Sequence, residues 1–276
     1  MPKSAATARP QGSIDAMAPL PCLITVPHGG TQVPGFLAGR FILSERDVFD
    51  DIDACTRGIY DLSDLVMVWK DTDIARPVVD LNRGREDRPP TNPDGVVKTH
   101  TCFNVPVYDP QQPLDDALAD DLIHKYHQPF HSFIESVVKL RHDLRIAFDC
   151  HSMSEFAPPV ANDAGQPRPT FCLGNRFGDS CPDAVARMLA TSLCRVFELE
   201  EKEVTLNQPF AGGYITRRYG GRPLPWIQIE MNRKLYLKDP WFDTDTRTVD
   251  PDRLAFLRNR MGAALRLFFE LWDDSR

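Results

Sequence analysis

Three short apolar runs in this sequence end in polar residues able to do chemistry, and that pattern constrains the fold more than any other feature. The run from Cys22 to Val26 stops at Pro27-His28-Gly29-Gly30, the run from Ala75 to Leu81 at Asn82-Arg83, and Leu144 to Cys150 leads directly into His151. Short apolar runs cut off by Pro, Gly or Asn read as buried strands. Leu65 to Trp69, Thr170 to Leu173 and Trp226 to Met231 read the same way. Helical stretches alternate with them. Ser44-Glu45-Arg46-Asp47 resembles a capping box, opening a helix to about Leu62. Asp115 to about His142 is the longest helical stretch, with Pro129 as a kink or break, and Asp183 to Phe197 and Asp252 to Trp272 follow. Such alternation predicts an α/β fold in three layers: a mainly parallel or mixed central sheet with helices on both faces. Ligands of such sheets bind beyond the carboxyl ends of the strands. His28, Asn82, Arg83 and His151 are all expected there.

A chain of 276 residues suits one such domain, expected over residues 21–276 behind a flexible tail of residues 1–20 rich in Ala, Pro and Ser. With 32 basic against 39 acidic side chains the formal charge is −7, which argues against a nucleic-acid or anionic-membrane partner. The seven cysteines are odd in number and contain no CxxC pair, so neither a disulfide framework nor a cysteine zinc knuckle is indicated. No secretory signal and no run of membrane-spanning length is found, and a reducing cytoplasm fits all of this. Nothing sets an oligomeric state. Arg85 to Pro113 is a long loop rich in Pro, Asn and Asp, and such loops are often functional; Pro158 to Pro169 is another polar loop, and Gly212-Gly213-Tyr214 begins a third.

Two imidazoles and a carboxylate with one open position make a catalytic zinc site. His28 and His151 supply the imidazoles, although each alone reads equally well as a turn histidine or a core histidine satisfied by a carboxylate. Asp149 is placed to orient His151. The third ligand stays open: Thr31, three residues after His28, is a poor donor, and Asp51 and Asp53 are the candidates, unless they only form a solvated helix face. Glu230 sits in an apolar strand, where a carboxylate needs a partner or a job. Burial would raise its pKa toward a value suited to a general base, while a salt bridge to Arg233 is the structural alternative. Arg83 and Arg217-Arg218 offer guanidinium groups for an anionic substrate. His127 and His131, spaced i, i+4, fit helix packing better than metal binding, with His131 the more plausible neighbour of the site.

Taken in order, Val26-Pro27-His28-Gly29-Gly30, Asp51-Ile52-Asp53, Val79-Asp80-Leu81-Asn82-Arg83, Pro129-Phe130-His131, Asp149-Cys150-His151-Ser152, Gly212 to Gly220 and Gln228 to Arg233 resemble the N-formylglutamate amidohydrolase family. The resemblance implies a zinc carboxypeptidase-like α/β fold with one zinc per chain, held by His28, Asp53 and His151. It implies Glu230 as the base, and Asn82, Arg83, Tyr214 and Arg217 as substrate contacts; Asp51, His131 and Asp149 are candidate outer neighbours of the metal from the residue pattern itself. The implied substrate is a small acidic N-acyl amino acid, N-formylglutamate, hydrolysed to formate and glutamate at the end of histidine breakdown. The sequence departs from the family at Ala54, where a Trp is usual, at Arg218, where a His is usual, and in the loop after Arg83. A zinc hydrolase for another N-acyl amino acid or a peptide, and a non-catalytic binding protein of the same fold, are the competing readings. A serine hydrolase lacks its G-x-S-x-G elbow.

Overall fold

The computed structural model describes residues 18–158 and 164–275. The tail expected over residues 1–20 lies outside them up to residue 17, and Leu20 already belongs to the first strand. In chain order the elements are β1 (Leu20–Val26), α1 (Glu45–Asp51), α2 (Thr56–Ile59), β2 (Val66–Asp71), α3 (Asp116–Leu122), α4 (Gln128–Leu140), β3 (Ile146–Met153), β4 (Phe171–Gly174) and α5 (Asp183–Phe197). There follow β5 (Val204–Leu206), α6 (Tyr214–Tyr219), β6 (Trp226–Asn232), the short hairpin β7 (Phe242–Asp243) and β8 (Thr248–Val249), and α7 (Pro251–Asp274).

Six strands form one sheet in the order β2-β1-β3-β6-β4-β5. β2, β1, β3 and β6 run parallel, and β4 pairs antiparallel with β6, so the sheet is mixed. Alternation along each strand sorts the core into two layers. Cys22, Ile24 and Val26 of β1 and Phe148 and Cys150 of β3 pack with Leu189 of α5 and Met261, Leu265 and Phe268 of α7. Leu23 and Ala147 face the other way, toward Phe130, Ile134 and Val137 of α4 and Ile215 of α6. This is the expected three-layer α/β domain.

Four local expectations fail, each for a tertiary reason. The helix opened by Ser44 has its capping box, but it stops at Asp51. Beyond it the Asp53 N–H donates to the His28 carbonyl, and Arg233 takes the Ile52 carbonyl, so contacts from distant segments replace helical ones. Ala75 to Leu81 is no strand. Val78 and Val79 turn back onto the Ala75 carbonyl, and the segment is apolar because it is buried under α4 and α6. His151 does not follow β3 but lies within it, since pairing with β6 continues to Met153. Gly212-Gly213-Tyr214 opens a helix rather than a loop, with Gly213 as N-cap of α6, so Tyr214 and Arg217 stand on a short helix.

The long helical stretch breaks where Pro129 predicts. A π-helical turn, Ile123–His127, separates α3 from α4, and it accommodates the main-chain donor that proline lacks.

Candidate metal centre and active site

His28 leaves β1 in a turn that only glycine permits. A Cβ on Gly29 would stand 2.6 Å from Arg57 Cγ and 2.8 Å from Thr56 Oγ1, and one on Gly30 would overlap the Asp73–Ile74 backbone. The turn therefore packs flat against the neighbouring chain and aims the imidazole over the carboxyl end of the sheet. Asp53, in the break between α1 and α2, points to the same spot, as does His151 from β3. Among the described residues these three form a candidate metal site, all buried, with one donor atom from each lying within 4.8 Å of the others. Thr31 takes no part.

Distances single out the atoms that could serve as donors. Asp53 Oδ2 lies 3.6 Å from His28 Nδ1 and 3.0 Å from His151 Nδ1. Bonds of about 2.0–2.1 Å arranged tetrahedrally around zinc require donor separations of roughly 3.3 Å, which these two values bracket. The far nitrogens face other carboxylates: His28 Nε2 is hydrogen-bonded to Asp80 Oδ1 at 2.7 Å, and His151 Nε2 stands at ion-pair distance, 3.1 Å, from Asp149 Oδ2. A metal-ligating histidine usually has such a partner, which fixes its tautomer and orientation. Burial works against the Asp53 charge, yet hydrogen bonds from His151 and His28 hold its carboxyl well below the usual range. Burial likewise opposes a charged His151, but Asp149 and Asp53 carry it well above the ordinary imidazole value. Two imidazoles and a carboxylate form a donor set that suits zinc.

Glu230 pairs in register with His151 across β3 and β6, which brings the carboxylate beside the cluster. The alternative partner, Arg233, is occupied elsewhere. Gln228 Nε2 donates to Glu230 Oε1 at 2.8 Å. Burial pushes the Glu230 carboxyl up to about 7, against the opposing pull of His151. The cavity above these residues measures about 930 Å³, and Asn82, Arg83, Tyr214 and Arg217 all line it. Asn82 Nδ2 lies 3.1 Å from His151 Nε2, and its Oδ1 accepts from the Ile215 N–H at 2.8 Å, tying this turn to α6. Arg83 lies 3.4–3.8 Å from Asp94, Asp87 and Asp80. Arg217 is exposed and forms no ion pair among the described residues.

Two expected neighbours of the three donors have partners of their own. Asp51 turns from the three donors to Lys98 Nζ at 3.2 Å and to the Cys102 N–H at 3.0 Å. His131 supports the 81–83 turn from behind. Its Nε2 donates to the Leu81 carbonyl at 2.9 Å, and Nδ1 accepts from the Tyr219 hydroxyl at 2.9 Å. His127 donates to the Arg83 carbonyl at 2.9 Å in the same way, so the i, i+4 histidines grip backbone. Cys150 faces the α5–α7 core, away from the cluster.

Asp80, Lys98 and Gln228 have no role assigned from the sequence, and Arg233 is expected there only as a salt-bridge partner of Glu230. Lys98 is fully buried, 3.9 Å from Asp80 and in contact with Asp94. Asp80 in Val78 to Leu81 and Lys98 after Val96-Val97 carry the signal that marked Glu230, a charge within or against an apolar run.

A family model described as N-formylglutamate amidohydrolase matches residues 20–237. An N-formylglutamate deformylase of Pseudomonas aeruginosa is 28% identical over 229 residues, covering 80% of this chain and 83% of its own. One from Pseudomonas putida is 25% identical over 232 residues, with the same coverage of 80% and 83%. The solved structure of an N-formylglutamate amidohydrolase from Ralstonia eutropha superposes with a TM-score of 0.73 at 20% identity, over 93% of this chain and 95% of that one.

Proposed function

The chain belongs to the N-formylglutamate amidohydrolase family, and on that premise we propose that it hydrolyses N-formyl-L-glutamate to formate and L-glutamate with one zinc ion held by His28, Asp53 and His151. The observation that carries the reading is the juxtaposition of three metal donors with a buried carboxylate, Glu230, in one cavity. Support comes also from the relatives named as N-formylglutamate deformylases. The reaction would then close a route of histidine degradation.

Zinc bound at this site supplies a Lewis acid for the formyl carbonyl and lowers the pKa of water from about 15.7 toward 7. Glu230 does the proton work. Its Oε1 is held by Gln228, which leaves Oε2 to accept the proton of the attacking water. The same carboxyl returns that proton to the amine nitrogen as the C–N bond breaks. Asn82, Arg83, Tyr214 and Arg217 orient the substrate. Arg217, which forms no ion pair among the described residues, is suited to one carboxylate of the substrate, and Arg83, at 3.4–3.8 Å from Asp80, Asp87 and Asp94, stands at the same cavity for the other.

Formate release from a panel of N-formyl amino acids, with zinc-loaded protein, tests this. Losing a charged hydrogen bond costs about 1.5–3 kcal/mol, so formyl-glutamate should exceed formyl-alanine in kcat/KM by roughly 10- to 150-fold. Equal turnover would dismiss the dicarboxylate clamp, and no formate from any member would dismiss the activity.

A further inference from the structure

Asp53 presents two oxygens, and only Oδ2 faces the histidines. Oδ1 is taken by Arg233 Nη2 at 3.1 Å. The rest of that guanidinium is equally engaged. Nε donates to Ser152 Oγ at 3.0 Å, Nη1 to the Asp50 carbonyl at 3.3 Å and Nη2 to the Ile52 carbonyl at 2.6 Å. Those two carbonyls belong to the end of α1, where a helix leaves acceptors without intrahelical partners. Arg233 therefore ties together three things: the end of α1, the carboxylate two residues beyond it, and Ser152, next to His151. Its side chain is only 14% exposed. Although it lines the cavity, every nitrogen of its fork is occupied, and it is not free to clamp a substrate anion as Arg217 is.

Resting on the metal reading above, we propose that Arg233 is the positioning residue of the metal centre: by holding Asp53 Oδ1 it makes Asp53 a one-oxygen ligand and fixes where that oxygen sits. Such a device is needed because Asp53 lies in an irregular break of the chain, 25 residues beyond His28, with no regular element to aim it. Two contacts locate the carboxylate besides the histidines, the Ser152 N–H on Oδ2 at 3.2 Å and Arg233 on Oδ1. Without the guanidinium, Oδ1 is free to swing toward the cation, and the 50–53 segment loses its clamp. A lysine cannot replace it, since a single ammonium cannot span the Ser152 hydroxyl, two carbonyls and a carboxylate.

The readout is zinc affinity, measured by competition with a chromophoric chelator, for the wild type, Arg233→Lys, Arg233→Gln, Asp53→Ala and the double variant Asp53→Ala/Arg233→Gln. Both single Arg233 variants should bind zinc roughly 10- to 100-fold more weakly, the usual effect of removing an outer partner of a ligand. In the Asp53→Ala background the Arg233 change should add nothing, because its path runs through that carboxylate. Thermal melts of the metal-free proteins report folding separately, and in a further variant, Arg233→Ala, which should lose affinity in the same way, millimolar methylguanidinium should partly restore it. An unchanged affinity in the single variants, or an equal further loss in the Asp53→Ala background, overturns the positioning role while leaving the metal site standing. A wild type that binds no zinc overturns both.

Discussion

Replacing Glu230 with Gln keeps the shape of the side chain and removes the proton acceptor. Gln228 Nε2 donates to Oε1 at 2.8 Å, and the amide oxygen of the variant can accept that bond unchanged. Its NH2 group then takes the position of Oε2 and offers donors where the reaction needs a base. A general base contributes about 10²–10⁴-fold, or roughly 3–5 kcal/mol at 1.36 kcal/mol per tenfold. The environment sets the pH dependence. Burial lifts the carboxyl to about 7, and a cation at the neighbouring site draws it down again. The acidic limb of kcat/KM should therefore rise with pH to a plateau, with a midpoint at or below about 7, as the carboxyl loses its proton. In Glu230→Gln the rate should fall by about 10²–10⁴-fold and the limb should vanish from the residual activity, with zinc still bound. The assay is kcat per zinc-loaded, folded molecule across pH. A kcat within a few-fold of wild type would refute the base assignment, and an unaltered acidic limb would assign that limb to another group.

Other perturbations probe the surroundings. His28→Ala and His151→Ala should each lose most of the bound zinc, measured by elemental analysis after dialysis, because three separated ligands hold the metal poorly once one is gone. Lys98→Met takes the ion-pair partner at 3.2 Å from the buried Asp51, while Asp80 keeps Arg76 at 2.9 Å, and urea unfolding should show a loss of about 3–5 kcal/mol; a loss under about 1 kcal/mol would mean that Lys98 is dispensable. His131 carries a sign-definite pH effect. Burial, with His127 adding to it, pushes its pKa from 6.5 down to about 3, so below pH 6.5 the unfolded chain takes up a proton that the folded chain refuses. Its contribution is full above 6.5 and is lost as pH falls toward 3, by roughly 2–3 kcal/mol at about pH 4.5. His131→Gln should lack that slope, and parallel stability curves for the two proteins would contradict the assignment.

Much of this architecture can be read from local pattern. Ser44 and Asp47 mark the start of α1, Asp183 to Phe197 is a helix with the expected bounds, and the apolar runs of β1, β3 and β6 are strands. Those signals depend on neighbours in the chain. Pattern fails where burial arises without regular structure. Val78, Val79 and Leu81 are fully buried, yet the segment holding them is a chain of turns. Arg233 is expected from the sequence as a partner of Glu230, and its real partners are hidden from local pattern. Its partners Asp50, Ile52 and Asp53 lie about 180 residues away, and no spacing in the sequence links them.

Asp80 and Glu230 present one sequence signal, a carboxylate inside an apolar run, and meet opposite fates. Burial disfavours ionisation of both. Around Asp80 stand the His28 ring and the cations Arg76 and Lys98, and together they hold its carboxyl well below the usual range. Glu230 has His151 and His28 on one side but Asp53 and Asp149 on the other, and burial prevails. One carboxylate is thus kept charged at every working pH and holds the His28 ring by its Nε2. The other is poised to gain and lose a proton near neutrality. Environments that push two carboxyl groups apart in this way divide the labour between anchoring and proton transfer. The division depends on cations contributed by the 76–98 segment. The long loop after Arg83 supplies one of these cations, Lys98, to Asp80 and Asp51.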